Sequence, residues 1–63
     1  MIESSADVAP SAQVAPSARV WHLAQVREGA SIGEETIIGR GAYIGGGVRV
    51  GARCKIQNYA PVY

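Results

Sequence analysis

The side chains best suited to chemistry are few in this chain. His22 is the single histidine and Cys54 the single cysteine, and His22 directly follows Trp21, the single tryptophan. Imidazole titrates near neutral pH and can act as a general base, and an indole can stack on a nucleotide base. However, no carboxylate has a spacing in the sequence that would clearly orient His22. We therefore treat His22 as a candidate catalytic residue. The alternatives are a role in a substrate pocket and a surface or subunit contact.

Two neighbouring amides, Gln57 and Asn58, stand where earlier parts of the chain place Gly or Ala and then a turn residue. Amide side chains can hydrogen-bond a polar ligand, although an asparagine at a corner also suits a turn by itself. We predict that Gln57, Asn58 and Trp21 contribute to a substrate site. The alternatives are a turn role for Asn58 and an inter-chain contact for Trp21.

The elements that must position these residues follow from a repeat of six. A β-branched aliphatic residue occupies every sixth position along the whole chain, a period that neither a helix nor an isolated strand produces. The predicted structural core consists of these eleven residues: Ile2, Val8, Val14, Val20, Val26, Ile32, Ile38, Ile44, Val50, Ile56 and Val62.

A second ladder of small residues lies two positions before each aliphatic. Residues two apart face the same side of a strand, so both ladders are predicted to point inward. Turn-forming pairs fall between them, in phase with the repeat. The predicted corners are Pro10-Ser11, Pro16-Ser17, Glu28-Gly29, Arg40-Gly41, Gly46-Gly47 and Asn58-Tyr59.

Three hexads close a triangle, so the sequence predicts an all-β solenoid with eighteen residues in each coil. Its 63 residues make about three and a half coils, which we expect to form one β-solenoid domain over residues 1–63. This stacking places Cys54 over Thr36 and Ala18 on the inward ladder of small residues, where we expect it to be buried.

Charge and apolar patterning exclude several classes of function. The net charge of +1 gives no strong attraction to nucleic acid, and no apolar run is long enough for a membrane span or a signal sequence. We expect a cytoplasmic location. Residues 36–63 carry four basic side chains and no acid. This basic half is either a solvated face or a site for a phosphate-bearing ligand.

The repeat resembles the hexapeptide pattern, [LIV]-[GAED]-x-x-[STAV]-x, of the left-handed parallel β-helix acyltransferases. The hexads VAPSAQ, VAPSAR and IGEETI fit every position of it. Val20-Trp21-His22 and Lys55-Ile56-Gln57-Asn58, with Val62-Tyr63 following, are similar to the N-terminal coils of bacterial nucleotide-sugar N-acetyltransferases. In that group the second stretch typically reads K-I-Q-N-N-V-S-V-Y, from which residues 59–61 depart here.

The resemblance implies a left-handed coil and an acyl-CoA-dependent N-acetyltransferase that acts on a UDP- or dTDP-linked aminosugar, with acetyl-CoA as co-substrate. Such enzymes are homotrimers with active sites in the clefts between prisms. It also implies a chain truncated at its C-terminus, with the catalytic segment beyond Tyr63, that is inactive alone. The alternative is a non-enzymatic module for trimerisation or assembly. No metal is expected, because one histidine per chain is too few for the three-histidine zinc site of γ-type carbonic anhydrases.

Overall fold

The computed structural model describes every residue from Met1 to Tyr63, and it is an all-β prism with extents of 20 × 20 × 18 Å. It contains ten strands of two residues each and no helix. The strands are β1 (Asp7–Val8), β2 (Gln13–Val14), β3 (Arg19–Val20), β4 (Gln25–Val26), β5 (Ser31–Ile32), β6 (Ile37–Ile38), β7 (Tyr43–Ile44), β8 (Arg49–Val50), β9 (Lys55–Ile56) and β10 (Pro61–Val62).

The strands form three parallel sheets, one on each side of the prism. Their orders are β1-β4-β7-β10, β2-β5-β8 and β3-β6-β9, so each strand pairs with the third strand after it. The register joins residues that are eighteen apart, as in Val14 with Ile32 and Ile32 with Val50. The predicted parallel β-helix with three hexads per coil is therefore confirmed. The first coil is residues 1–18, the second 19–36 and the third 37–54, and residues 55–63 begin a fourth.

The aliphatic ladder lies inside the prism, and its burial falls toward the two ends. Buried members of the ladder are Val20, Val26, Ile32, Ile38, Ile44 and Val50, whereas Val8, Val14, Ile56 and Val62 are half-buried. The prediction that Ile2 is a core residue is wrong, because its side chain is 48% exposed. Ile2 forms an isolated parallel bridge with Val20, but no coil lies on its other side.

The inward ladder of small residues is likewise buried in the middle of the prism and partly exposed at its ends. Ala18, Ala24 and Ala30 are fully buried, and so is Thr36, the one polar member. The Thr36 hydroxyl donates to the Gly51 carbonyl at 2.6 Å and accepts from the Cys54 N–H at 3.1 Å, which satisfies its polar atom.

Cys54 differs from the prediction of a buried core residue. Its thiol side chain points along the inward ladder but stays half-exposed, and Sγ lies 3.7 Å from the Ala52 carbonyl oxygen. The position eighteen residues further on, which would cover it, is outside the chain. Its exposure therefore follows from its place at the end of the prism.

Every predicted corner is a two-residue turn in the structure, and the turns fall into two kinds. From residue 23 onward, the second turn residue always has a positive φ, between 56° and 74°. The three corners of the first coil end instead in Ser5, Ser11 and Ser17, none of which has a positive φ.

Candidate functional site

The outer surface of the β3-β6-β9 sheet carries a groove that brings three of the predicted site residues together. Its volume is about 290 Å³, and Trp21, Gln57 and Asn58 all line it. The other lining residues are Ile37, Gly39, Lys55 and Ile56. The groove thus combines one indole, two amides and one ammonium group around a strip of aliphatic surface.

The coil repeat explains why residues so far apart in the chain meet here. Trp21, Gly39 and Gln57 follow the paired strands β3, β6 and β9, and they form one column along the prism axis. The Trp21 N–H donates to the Ile38 carbonyl at 3.0 Å, and the Gly39 N–H donates to the Ile56 carbonyl at 2.9 Å. Gly39, which has no side chain, therefore lies between Trp21 and Gln57 in this column.

Gly39 also lets Asn58 approach the backbone closely. A Cβ at position 39 would lie 2.6 Å from Asn58 Oδ1 and 2.8 Å from the Ile56 carbonyl oxygen, which is closer than real Cβ contacts allow. The Arg40 N–H donates to Asn58 Oδ1 at 2.9 Å. This bond fixes the oxygen of the Asn58 amide toward the backbone, so the NH2 group is the end that can meet a ligand.

The adjoining corner holds Arg40 away from the groove. Arg40 Nε donates to the Tyr59 hydroxyl at 3.0 Å, and the Tyr59 ring lies where a side chain at Gly41 would be. Lys55 is therefore the cationic side chain that lines the groove itself.

His22 lies at the corner beside the groove but does not line it. Its ring centroid is 6.4 Å from that of Trp21. Nδ1 lies 3.3 Å from Ser5 Oγ, and Nε2 lies 3.7 Å from Glu3 Oε1. The fold thus brings a carboxylate near the imidazole, which the spacing in the sequence did not indicate. The first coil stacks Glu3 and Ser5 on the corner that contains His22.

The geometry of Ser5 argues against a nucleophile at this corner. Ser5 Oγ accepts the Leu23 N–H at 3.1 Å, and Ser11 and Ser17 accept the N–H groups of Gly29 and Glu35 in the same way, at 3.0 and 2.8 Å. All three serines therefore close corners between coils. Since His22 is 49% exposed and Glu3 is beyond hydrogen-bond distance, the group has no enclosed site for a reacting atom.

Comparison with known protein families assigns the repeat. Residues 29–60 match the model of a family described as bacterial transferase hexapeptide (six repeats), which covers half of the chain. The chain belongs to this hexapeptide-repeat family. Neither a curated protein nor a solved structure was found to match the chain. The family match establishes the hexapeptide repeat and favours a transferase. It does not identify a substrate.

The hexapeptide coils outside the groove carry one well-defined ionic cluster, on the β1-β4-β7-β10 sheet. Arg27 Nη1 lies 3.1 Å from Asp7 Oδ2, and Arg27 Nη2 donates to Glu28 Oε2 at 3.1 Å. Hydrogen bonds from its own backbone and from Arg27, with the charge of Arg27, lower the pKa of Glu28. The same contact with Glu28 raises the pKa of Arg27 above its ordinary value. The cluster joins the first coil to the second and lies apart from the groove.

Ile37 and Lys55 line the groove but were not among the site residues predicted from the sequence. Ile37 is the apolar one of the two. It lies half-buried on the outer surface, between Arg19 and Lys55, and lines both the groove and a neighbouring depression. That depression has a volume of about 490 Å³ and is otherwise lined by Ser17, Arg19 and Glu35. Its residue type could have indicated Ile37, because most equivalent outward positions of the hexapeptide coils are polar or charged.

Two further observations describe what this hexapeptide prism lacks. No group of three or more His, Cys, Asp or Glu side chains converges in a way that could hold a metal ion. With no helix in the fold, no segment of it is a helix long and apolar enough to cross a membrane.

Proposed function

We propose that this chain forms the N-terminal coils of an acyl-CoA-dependent N-acetyltransferase and supplies part of the binding surface for a nucleotide-linked aminosugar. The observation that carries the proposal is the groove in which Trp21, Gln57, Asn58 and Lys55 meet on one side of the prism. Membership of a transferase hexapeptide family supports the same class of activity.

The chemistry of the groove suits such an acceptor. An indole can stack on a uracil or thymine ring, and such stacking is worth about 1–3 kcal/mol for each base. The ammonium group of Lys55 is a point charge suited to a diphosphate. The amides of Gln57 and Asn58 can donate to the hydroxyl and carbonyl oxygens of a sugar.

In the proposed reaction, the amine of the sugar attacks the thioester carbonyl of acetyl-CoA, the C–S bond breaks, and coenzyme A leaves as the thiol. Donors that stabilise the oxyanion of this step are not assigned to the present residues. By resemblance they lie in later coils, at clefts between the prisms of a homotrimer. We accordingly propose that the 63-residue chain binds the acceptor but does not transfer an acetyl group.

Trp21 provides the test, because it is the single tryptophan and it lines the groove. We expect saturable quenching of its fluorescence by a UDP-linked aminosugar, weaker quenching by UDP, and none by the free aminosugar. Gln57→Ala should weaken binding about three- to tenfold, the loss of roughly one hydrogen bond. Gln25→Ala is the matched control, since Gln25 is exposed on the neighbouring sheet, and it should leave binding unchanged.

A folded chain whose fluorescence responds to neither UDP nor the UDP-linked sugar would contradict the proposal. That result would favour the alternative, a non-enzymatic module for trimerisation. One observation supports this alternative. The residues that follow β2, β5 and β8 are small, namely Ala15, Gly33 and Gly51, so a second prism could approach this side closely.

A further inference from the structure

A second depression adjoins the groove on the same side of the prism. It has a volume of about 490 Å³ and is lined by Ser17, Arg19, Glu35 and Ile37. Ile37 lines the groove as well, so the groove and the depression meet at this residue on the outer surface of β6. The residues that line the groove include no carboxylate, whereas the depression contains that of Glu35. Of the two, only the depression offers a negative charge to a ligand.

The two charged side chains of the depression have no partner within the chain. Arg19 and Glu35 are both exposed, and neither forms an ion pair with the other or with any other residue. Ser17 differs from them, because its hydroxyl accepts the Glu35 N–H at 2.8 Å and donates to Glu34 Oε2 at 3.0 Å. The guanidinium of Arg19 and the carboxylate of Glu35 are therefore the groups available to a ligand.

Two cationic side chains lie on either side of Ile37. The strand register pairs Ile37 with Arg19 in one direction along the prism and with Lys55 in the other. All three residues occupy the outward position of their strands. Because neighbouring strands are about 4.8 Å apart, the long side chains of Arg19 and Lys55 can reach a diphosphate over Ile37 from opposite sides. This arrangement favours a diphosphate where the groove meets the depression.

The parts of a nucleotide-linked aminosugar follow one another as base, diphosphate and sugar. With the base against Trp21 in the groove and the diphosphate over Ile37, the sugar lies in the depression. There the carboxylate of Glu35 can accept a hydrogen bond from the amine and attract its positive charge. A hydroxyl at the same carbon would gain only the hydrogen bond. Glu35 thus provides a means to select an amine.

We propose that the depression binds the aminosugar end of the acceptor and that Glu35 determines its specificity for an amine. Arg19 shares the diphosphate with Lys55, and Gln57 and Asn58 face the nucleoside. The inference rests on the proposed function and gives the acceptor a direction along this side of the prism. Glu35 acts in binding, and no bond-making step is assigned to it.

Titrations of Trp21 fluorescence with UDP, UDP-glucose and UDP-glucosamine test the assignment. The two sugars differ by a hydroxyl or an amine at one carbon of the ring. Slightly below neutral pH the amine carries a proton. We therefore expect UDP-glucosamine to bind about two- to fivefold more tightly than UDP-glucose, as for a pair of exposed charges.

Variants of the depression separate selection of the amine from binding of the diphosphate. Glu35→Gln should remove the preference for UDP-glucosamine, and Glu35→Lys should reverse it, whereas a merely structural role of Glu35 would weaken both sugars alike. Arg19→Gln should weaken all three ligands about two- to fivefold and keep the preference.

Glu34→Gln is the matched control, since Glu34 is the adjacent exposed corner residue but does not line the depression. Its amide oxygen can still accept from the Ser17 hydroxyl, so the preference should be unchanged. Circular dichroism establishes that each variant is folded.

Three results would overturn the inference and leave the proposed groove intact, provided that UDP still quenches Trp21. They are a wild-type chain without the preference, a Glu35→Gln variant that keeps it, and a Glu34→Gln variant that also loses it. Binding of none of the three ligands would overturn both the inference and the proposed function, so the two failures are distinguishable.

Discussion

The corners of the first coil differ from those of the later coils in backbone conformation and in the group that accepts a hydrogen bond from the next coil. In the later coils the second corner residue adopts a left-handed conformation. From the third coil onward its N–H donates to a corner carbonyl of the preceding coil, as Gly41 does to His22 at 2.9 Å. In the first coil the corners end in serine, without a positive φ, and the serine hydroxyl replaces the carbonyl as acceptor. A hydrogen bond from the N–H of the second corner residue to the preceding coil is therefore common to both arrangements. Its acceptor is either a serine hydroxyl or a backbone carbonyl.

The residue that follows each strand also changes along the prism. The first coil has Ala9 and Ala15 at this position, whereas four successive strands, β5 to β8, are followed by glycine. A Cβ at Gly33 would lie 2.6 Å from the backbone carbon of Gly51. Close approach of the coils thus makes glycine necessary in the middle of the prism, in addition to its use at corners.

The largest effect is expected from Gly33→Ala. The added methyl must displace backbone of the next coil, so the free energy of unfolding should fall by about 1–3 kcal/mol or more. Gly51→Ala is the control in the same column, since nothing lies within 4 Å of its Cβ position. Urea unfolding followed by circular dichroism at one protein concentration measures both. Equal stability of the two variants would show that the coils are further apart than the structure has them.

Removing a serine cap should have a smaller effect. Ser17→Ala loses the bond from the Glu35 N–H at 2.8 Å and the bond to Glu34 Oε2 at 3.0 Å. We expect a loss of about 0.5–1.5 kcal/mol in the free energy of unfolding. Ser4→Ala, at an exposed corner position whose hydroxyl makes no hydrogen bond, should be neutral. A neutral Ser17→Ala would remove the distinction between the two kinds of corner.

Glycine substitution should act in opposite directions at the two kinds of corner. Leu23 has a φ of 62° and is 52% exposed, so Leu23→Gly relieves a left-handed conformation and should stabilise the fold by about 0.5–1 kcal/mol. Ser11→Gly loses a cap at a corner that needs no positive φ, and it should destabilise the fold. The midpoints of urea unfolding measure both changes, and a shift of the same sign for the two variants would contradict the comparison.

The smallest effect is expected at Glu28, the exposed carboxylate that Arg27 contacts within the second coil. Because folding lowers the pKa of Glu28, its contribution to stability is complete above the unfolded pKa and is lost as the pH falls through the folded pKa. Glu28→Gln should therefore flatten the loss of stability on the acidic side and leave the alkaline side unchanged. Thermal unfolding of both chains from neutral to acidic pH measures the difference, and an unchanged acidic slope would exclude a stabilising contact between Glu28 and Arg27.

The sequence was sufficient for the fold because Val and Ile at every sixth position, with small residues two before them, suit few other structures. It also indicated that Trp21 and Gln57 share a column, since they are two coils apart. The serine caps were not predicted, because a Pro-Ser pair is typical of any turn. The sequence also did not show that Glu3 lies near His22 or that Asn58 packs closely against Gly39, because both depend on distances between coils. The substrate, the trimer and the left-handed coil stay predictions.

The eighteen-residue coil on which the groove and both kinds of corner depend is tested most directly by nuclear Overhauser contacts between labelled Val and Ile methyl groups. The structure predicts contacts between Val20 and Ile38 and between Ile38 and Ile56, along one side of the prism. It also predicts contacts from Ile32 to both Val14 and Val50 on another side. A folded chain in which these pairs give no contact, or whose amide contacts are those of a helix, would contradict it.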